Sequence, residues 1–406
     1  MIQKKKLILF TNSFPYGNSE PYLQTEIPFL VEAFDEIFIF PLNIKGSLST
    51  PLHNKIKIID HSQFSKPIAI NYTTIFKELY VELPKLLKLP NTINRIKYFS
   101  AYLTHKYKLA QIAIECAGIE KPKAGESVYL YSYWFNDLAV ITSFIKQRVG
   151  QCISVSRAHG FDLFEEQSLN HYIPYRQLQF KYIDKIVSVS KRGEIYLKRH
   201  FPKNGPKISV SYLGTVNSSF IQKDMSDTFT IATCSIIRSI KRLDLLVEIL
   251  KNVVHHVVWH VIGNGHVLND LKEKCRELPA HIHVVFHDYL SQTELYEFYK
   301  NTPINLFCSV SSSEGLPVSI MEAISFGIPV MSTDVGGCSE ICNEKTGFLI
   351  PKDFEPKKVA AQMDEFRFSE KNTLKFRSEV KNFWETNFSA HKNYPDFVNK
   401  MLLNNG

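Results

Sequence analysis

Two glutamates stand out in the stretch SSSEGLPVSIMEAISFGIPV, residues 311–330, because every other residue in it is uncharged. Glu314 and Glu322 are separated by seven residues. Pro317 suits the first position of a helix, where its missing N–H costs nothing, and Gly327 suits the end of that helix. The pattern therefore predicts Glu314 in the loop before a helix and Glu322 near its second turn.

The same stretch predicts an anion site. The residues before Pro317 are small, so their backbone N–H groups could approach a ligand closely. A helix N-terminus that follows a parallel strand attracts anions, and open α/β sheets bind their ligands at that edge. Backbone donors for a phosphate and two carboxylates for hydroxyl groups together indicate a sugar nucleotide.

The second half of the chain supplies the elements that would position this site. Strand-like apolar runs alternate with helical stretches of 10–12 residues, which is typical of a parallel sheet covered by helices on both faces. The strands are expected at 228–237, 256–263, 281–286, 304–310 and 328–333. The helices are expected at 242–252, 267–278 and 292–302, and from Pro317 to Gly327.

The first half repeats this alternation less regularly. Its strand candidates are residues 6–11, 36–42, 55–60, 127–133, 152–158 and 185–190, and a long helical stretch runs from about 72 to 115. The fold class predicted is α/β, with two Rossmann-like, doubly wound parallel-sheet domains. We expect the first domain at 1–213, the second at 214–385, and a C-terminal helix at 386–406 that returns to the first.

Bulk composition narrows the classes of partner. The 406 residues carry a net charge of +8, which favours anionic partners, but no nucleic-acid-binding motif is present. The seven cysteines are odd in number and scattered, so neither a disulfide framework nor a zinc site is expected, and a reducing cytoplasm fits. The apolar run LILF near the N-terminus is too short for a signal peptide.

Residues 72–108 contain seven basic residues and two acids, interleaved with aromatics. One interpretation is an interfacial helix on an anionic membrane, and the other is the solvated face of a core helix. With the first interpretation, the protein would be cytoplasmic and peripheral on the inner face of the cytoplasmic membrane.

Several motifs resemble those of one family. EGLPVSIME, followed by FGIPV and DVGGCSEI, resembles the E-x7-E region of retaining GT-B glycosyltransferases of family 4, the glycosyl transferases group 1. VIGNG at 261–265, SVSRAHGFDLFEE at 154–166, SYLGT at 211–215 and the loop at 12–30 are similar to further segments of that family. The resemblance implies two domains facing a cleft, an acceptor-binding first domain and a donor-binding second domain.

The resemblance also implies roles in donor binding. Glu322 would bind the ribose hydroxyls of the nucleotide, and Glu314 the hydroxyls of the transferred sugar. The diphosphate would face the backbone of Gly315, Leu316, Pro317 and Val318, with free N–H groups from Leu316 and Val318. The remaining donor-site residues implied are Gly263, Asn264 and Glu340.

The family places an Arg and a Lys beside the diphosphate. Lys241 matches the lysine, but the usual arginine position falls on Ile236. Either Arg238 substitutes, or Arg242 helps, or one cation is missing. The alternative for Arg238 is an ordinary surface turn residue.

The first domain would contribute a histidine and the acceptor pocket. His159, in the segment HGFD, would lie across the cleft near the donor sugar and its phosphate, whereas Asp162 is expected to hold the loop. Gly17 and Asn18 would border the acceptor pocket, and Glu20 is expected to be structural.

The expected reaction is transfer of a sugar from a UDP- or GDP-linked donor, with retention at the anomeric carbon. The acceptor expected is a glycan or a lipid-linked precursor of a bacterial surface polysaccharide such as lipopolysaccharide. No nucleophile, D-x-D motif or metal-ligand cluster is evident, so a metal-independent site without a cofactor is predicted.

Three alternative functions require other features of the sequence. A glycoside hydrolase needs carboxylates on both sides of the bond, and Glu314 and Glu322 lie on one loop-helix unit. A Rossmann oxidoreductase needs G-x-G-x-x-G, and GNGHVL has only two of the glycines. The third alternative, a non-catalytic sugar-nucleotide-binding homologue or subunit, stays open because of the altered arginine position.

Overall fold

The computed structural model describes residues 4–17, 20–49, 51–88, 92–168, 171–217 and 228–403. The chain divides into two compact units. The first unit comprises Met1–Ser211 and Tyr394–Gly406, and the second comprises Tyr212–Asn393. The division thus falls two residues before the boundary expected at 213, and the C-terminal segment joins the first unit eight residues after the expected position 386.

The first unit is built on a parallel sheet in the order β3-β2-β1-β4-β5-β6-β7. Its strands are β1 Lys4–Thr11, β2 Glu36–Pro41, β3 Ile56–Ile58, β4 Glu126–Ser132, β5 Ile153–Ala158, β6 Lys185–Ser188 and β7 Ile208–Val210. The order 3-2-1-4-5-6 is that of the doubly wound nucleotide-binding fold, in which β1 and β4 meet at the switch point. Residues 7–10 of β1 are fully buried, because helices cover both faces of the sheet.

The helices of the first unit are α1 Leu23–Ala33, α2 Tyr72–Leu86, α3 Thr92–Ala117, α4 Asp137–Val149, α5 Arg176–Tyr182 and α6 Lys191–His200. The single helical stretch predicted for 72–115 is therefore wrong in one respect, since it forms two helices, α2 and α3. α2 includes Pro84 and ends at Leu86, with Leu87 as its C-cap. No helix in the described ranges combines the length and the apolar content needed to cross a bilayer.

The second unit contains a parallel sheet in the order β10-β9-β8-β11-β12-β13. Its strands are β8 Phe229–Cys234, β9 Val257–Ile262, β10 Ile282–His287, β11 Leu306–Ser309, β12 Val330–Thr333 and β13 Gly347–Ile350. The predicted strands are confirmed with ends that differ by a few residues, and the doubly wound α/β class holds for both units. β8 and β11 are neighbours at the switch point, so a ligand crevice is expected at their carboxyl ends.

The helices of the second unit are α7 Leu243–Leu250, α8 Leu268–Cys275, α9 Gln292–Asn301, α10 Val318–Ser325, α11 Cys338–Ile341, α12 Pro356–Phe368 and α13 Leu374–Asn387. A last helix, α14 Ala390–Phe397, runs across the division into the first unit and continues as a π-helical turn, Val398–Leu403. α7, α9 and α10 each lead away from the carboxyl end of a strand, which places their N-termini at one edge of the second sheet.

Candidate active site

Glu314 lies in the loop between β11 and α10, at the carboxyl edge of the second sheet. Lys241 Nζ donates to Glu314 Oε1 at 2.6 Å, and Ser311 Oγ donates to the same oxygen at 2.6 Å. The lysine side chain is 23% exposed and the glutamate side chain is 11% exposed. The ion pair is therefore partly buried and still reaches solvent. A crevice of about 10 Å³ at the ends of β8 and β11 has Lys241 and Glu314 on its walls.

α10 begins one residue later than predicted. Pro317 is the N-cap, with extended backbone angles (φ −72°, ψ 110°), and Val318 is the first helical residue. The other end agrees with the prediction: Gly327 has φ +72°, where a side chain would be strained, and Ile328 N–H donates to Ala323 O.

The start of α10 offers backbone donors. Within the described residues, the N–H groups of Leu316 and Val318 donate no hydrogen bond, as is usual for the first turn of a helix. The loop before them is fixed by a backbone hydrogen bond, in which Gly337 N–H donates to Gly315 O at 2.7 Å. A Cβ at Gly336 would stand 1.7 Å from the carbonyl oxygen of Glu314, so only glycine allows this approach.

Glu322 lies in the second turn of α10, as predicted, and is 9% exposed. Gln292 Nε2, at the start of α9, is 3.4 Å from Glu322 Oε1, a long and weak hydrogen bond. Burial raises the pKa of the Glu322 carboxyl to about 7, and the contact with Gln292 opposes this only in part. Within the part of the chain that the structure describes, the carboxylate therefore lacks donors that would stabilise its charge, and a ligand with hydroxyl groups could supply them.

The three basic side chains after β8, those of Arg238, Lys241 and Arg242, make different contacts. Lys241 reaches Glu314, whereas the Arg238 side chain is exposed and forms no hydrogen bond or ion pair with the described residues. Arg242, in a left-handed backbone conformation, donates to the carbonyl oxygens of Val310 and Lys352 at 2.8 and 2.9 Å. Arg242 is thus committed to bracing backbone segments, and Arg238 is the arginine of this segment with an uncommitted side chain.

The turn after β9 packs on the segment that carries these cations. A Cβ at Gly263 would stand 2.0 Å from the carbonyl oxygen of Ser235, and Gly263 has φ +125°. Asn264 O accepts from Ile237 N–H at 2.9 Å. Gly263 and Asn264 therefore fix the backbone that follows β8, and their predicted contact with the donor stays a prediction.

Glu340 follows the glycine pair and lies in the short helix α11. Tyr212 Oη donates to Glu340 Oε2 at 2.8 Å. The carboxylate is half-buried and oriented by this hydroxyl. Its predicted role at the donor site stays a prediction.

In the first unit, His159 follows β5 and is 8% exposed. Its ring packs on Tyr133 and Trp134, with ring centroids 4.9 and 4.2 Å away, and neither ring nitrogen has a hydrogen-bond partner among the described residues. Burial lowers the pKa of the imidazole and favours its neutral form, while the Asp162 carboxylate, whose Oδ2 lies 3.6 Å from Nδ1, opposes this in part. Asp162 is engaged with the loop backbone, since it accepts from the N–H groups of His159 and Phe135, both at 2.8 Å.

The loop after β1 carries the predicted acceptor residues. Gly17 is exposed, has φ +62° and donates through its N–H to Ser47 O at 3.2 Å; Asn18 lies outside the described residues. Glu20 is buried, and its carboxylate accepts from the N–H groups of residues 12, 13 and 14 and from Trp134 Nε1. Glu20 therefore holds the loop, as expected of a structural residue.

Sequence reasoning missed two members of the donor-side cluster, Ser311 and Gln292. Each touches a predicted glutamate, at 2.6 and 3.4 Å. One signal was available for Gln292: it follows Ser291 in S-Q-T-E, a capping box that fixes the start of α9. No local pattern indicates that Ser311 turns its hydroxyl toward Glu314.

Comparison with known proteins finds a family match for the part of the chain that carries Glu314, Glu322 and Lys241. Residues 218–383 match the profile of the family Glycosyl transferases group 1, which is nearly all of the second unit. The second unit is thus a group 1 glycosyltransferase domain, and the fold of the whole chain is that of the GT-B glycosyltransferases.

Individual relatives cover the chain to different extents. The O-antigen biosynthesis glycosyltransferase WclY of Escherichia coli is 19% identical over 361 residues, which is 86% of this chain and 90% of WclY. The GtfA subunit of a UDP-N-acetylglucosamine--peptide N-acetylglucosaminyltransferase from Streptococcus parasanguinis is 23% identical over 45% of this chain and 37% of its own length. The first curated relatives are matched over only 30% to 37% of their length.

A solved structure covers the chain nearly from end to end. HepE from Anabaena, crystallised in complex with UDP and glucose, aligns with 97% of this chain and 99% of its own at a TM-score of 0.70 and 14% identity. At 14% sequence identity, the similarity between the two chains shows a shared fold and nothing about the substrate.

Proposed function

We propose that the protein is a retaining glycosyltransferase that moves a sugar from a nucleoside diphosphate sugar to a glycan or lipid-linked acceptor. The observation that carries the proposal is the carboxyl edge of the second sheet. There, the loop-helix unit from β11 to α10 carries two carboxylates and, at the start of α10, two N–H groups with no acceptor among the described residues, while Lys241 reaches it from the segment after β8. This combination suits a diphosphate between two polyols.

Each part of the donor has a chemical counterpart. The ribose hydroxyls would donate to Glu322, whose buried carboxylate has one weak hydrogen-bond partner among the described residues. The diphosphate would accept from the N–H groups of Leu316 and Val318. The sugar hydroxyls would reach Glu314, which Lys241 and Ser311 already orient.

The chemistry follows from this placement. The bond between the anomeric carbon and the β-phosphate oxygen breaks, and negative charge grows on the departing diphosphate. In this proposal, Lys241 and the backbone donors would stabilise that charge. The acceptor oxygen forms its bond on the same face of the sugar, and its proton passes to a phosphate oxygen of the leaving group.

Relatives support a UDP-linked donor and a surface-polysaccharide acceptor. HepE was crystallised with UDP and glucose, and WclY is named for O-antigen biosynthesis. On that basis we propose UDP in preference to GDP, and a role in bacterial surface-polysaccharide biosynthesis, without a metal ion or cofactor.

The stereochemistry can be tested without knowing the acceptor. Glycosyltransferases that lack an acceptor hydrolyse their donor slowly, so water takes the place of the acceptor. We would incubate the protein with UDP-α-glucose, UDP-α-galactose or UDP-α-N-acetylglucosamine and follow the free sugar by ¹H NMR before it mutarotates. Retention predicts the α-anomer first. A β-anomer appearing first would contradict retention.

A second candidate is a sugar-nucleotide-binding subunit without activity of its own. The observation that favours it is Ile236 at the arginine position, together with the exposed Arg238 side chain. The GtfA relative is also named as a subunit. Tight UDP binding with no release of UDP from any of the three sugar donors would support this candidate over the transferase.

A further inference from the structure

The pair of helices α2 and α3 in the first unit presents large apolar side chains to solvent. Six of them, each between 57% and 75% exposed, belong to this hairpin: Tyr72, Phe76, Tyr80, Leu87, Ile93 and Tyr98. The first three recur every four residues, so they form a stripe along one face of α2. Exposed apolar side chains are usually scattered singly, and a concentration of this kind marks an interaction site.

The charges on the same helices are sorted by sign. Both acids of α2 are turned inward: Glu78 is 4% exposed and Glu82 is 1% exposed. Glu82 accepts from the N–H of Tyr175 at 3.2 Å and from the hydroxyl of Tyr172. The exposed charges on the described part of 72–108 are therefore lysines.

Fewer lysines of α2 and α3 are exposed to solvent than the sequence suggests. Lys106 is buried and pairs with Asp137 at 2.6 Å, and Lys85 lies 3.8 Å from Glu82. The sequence count of seven basic residues therefore overstates the exposed charge. Four lysines are exposed: Lys77, Lys88, Lys97 and Lys108.

The apolar and cationic side chains share a face. A groove of about 670 Å³ runs between α2 and α3, with Tyr72 and Phe76 on one wall and Lys97 and Lys108 on the other. Lysine stems lie along apolar surface while their ammonium groups reach polar surroundings, which suits a boundary between headgroups and hydrocarbon.

We propose that this hairpin face binds the surface of an anionic phospholipid bilayer. Charge complementarity selects this occupant, because Lys97 and Lys108 line the groove beside the apolar stripe, Lys77 and Lys88 are exposed on the same helix pair, and both acids in the described part of 72–108 are buried. The side-chain types agree, since tyrosine is enriched at membrane interfaces and basic helices with an apolar face lie in the headgroup layer. The inference is independent of the sugar-transfer reaction.

Vesicle binding tests the proposal without any activity measurement. The full chain would be sedimented with vesicles of phosphatidylcholine alone and of phosphatidylcholine mixed with phosphatidylglycerol. We expect binding to the anionic vesicles, and loss of most of it at about 1 M NaCl, where the screening length is about 3 Å. Equal binding to both vesicle types, or no binding to either, would overturn the proposal. The latter result would point to a protein partner for this face.

Paired variants assign the binding to the hairpin. Phe76→Ala with Tyr80→Ala, and separately Lys77→Gln with Lys97→Gln, should each weaken partitioning onto anionic vesicles by about tenfold. Phe368→Ala is the matched control, because this ring is 80% exposed in the second unit and should leave partitioning unchanged. All five positions are exposed, so the melting temperature should not change. Variants that bind like the wild type would refute the assignment.

Discussion

Glu322 gives the sharpest physical prediction, because its carboxyl group is buried with one weak partner. The perturbation is Glu322→Gln, which keeps the size of the side chain and removes the titratable group. Gln292 lies 3.4 Å from Glu322 Oε1, and an amide oxygen at that position could still accept from it. The variant therefore isolates the cost of holding a charge at this site.

The magnitude follows from the pKa. Burial raises the pKa of Glu322 from 4.5 to about 7, so the folded state holds this proton more tightly than the unfolded chain does. The stability contributed by the protonated form is fully present below pH 4.5, and it is lost as the pH rises through about 7. At roughly 1.4 kcal/mol per pKa unit, the loss approaches about 3 kcal/mol above neutral pH.

The assay is urea unfolding of wild type and variant from about pH 5 to about pH 8.5. The difference in unfolding free energy should shift by about 3 kcal/mol in favour of the variant as the pH rises. Glu344→Gln, at an exposed glutamate of the second unit, is the matched control and should show no comparable trend. A flat difference, or one that favours the wild type at high pH, would refute the reasoning.

Three further perturbations test other parts of the account. Lys241→Ala should slow UDP release from the sugar donor by about a hundredfold. The free energy of unfolding should change by less than about 1 kcal/mol, because the ion pair of this lysine is partly exposed. An unchanged rate of UDP release would show that Lys241 takes no part in the reaction. Gly336→Ala forces a Cβ to within 1.7 Å of Glu314 O, so calorimetric titration should show weakened UDP binding, whereas Gly205→Ala, with nothing within 4 Å, should bind normally. Arg157→Met removes a fully buried cation whose partner, the Glu26 carboxylate, lies 3.2 Å away. Urea unfolding should show that the free energy of unfolding falls by about 3–5 kcal/mol. A free energy of unfolding equal to that of the wild type would contradict the importance of this pair.

The sequence predicted the larger elements of the fold well because of the physics of parallel sheets. Strands buried on both faces read as continuous apolar runs, and β8 to β12 were placed within a few residues for that reason. Two strands were not predicted. β7 has three residues and β13 has four, and each lies at an edge of its sheet. Length alone does not explain why they were missed, because β3 has three residues and β11 and β12 have four, and these were predicted.

The helix pair α2 and α3 shows a different limit. The sequence shows that acids and lysines are interleaved, but not which face of each helix packs inward. Glu78 and Glu82 are buried because α2 packs that face against the body of the unit, and Glu82 meets Tyr172 and Tyr175, about 90 residues further along the chain. Contacts over such separations cannot be read from local periodicity.

The candidate site was predictable where one short segment carries it. Glu314, Glu322 and the start of α10 follow from the spacing of a proline, two glutamates and a glycine. The partners of the glutamates do not follow, because Lys241 is 73 residues from Glu314 and Gln292 is 30 residues from Glu322. These pairs exist only because β8, β10 and β11 end at the same edge of the sheet.

The most direct test of the donor site is calorimetric titration of UDP, GDP and ADP into wild type, Glu322→Ala and Glu344→Ala. The account predicts that UDP binds wild type and Glu344→Ala with similar affinity, and that Glu322→Ala weakens this binding by at least about tenfold through loss of the ribose contacts. UDP binding that is equally tight in Glu322→Ala, or no binding of any of the three nucleotides to wild type, would contradict a nucleotide site at the carboxyl edge of the second sheet.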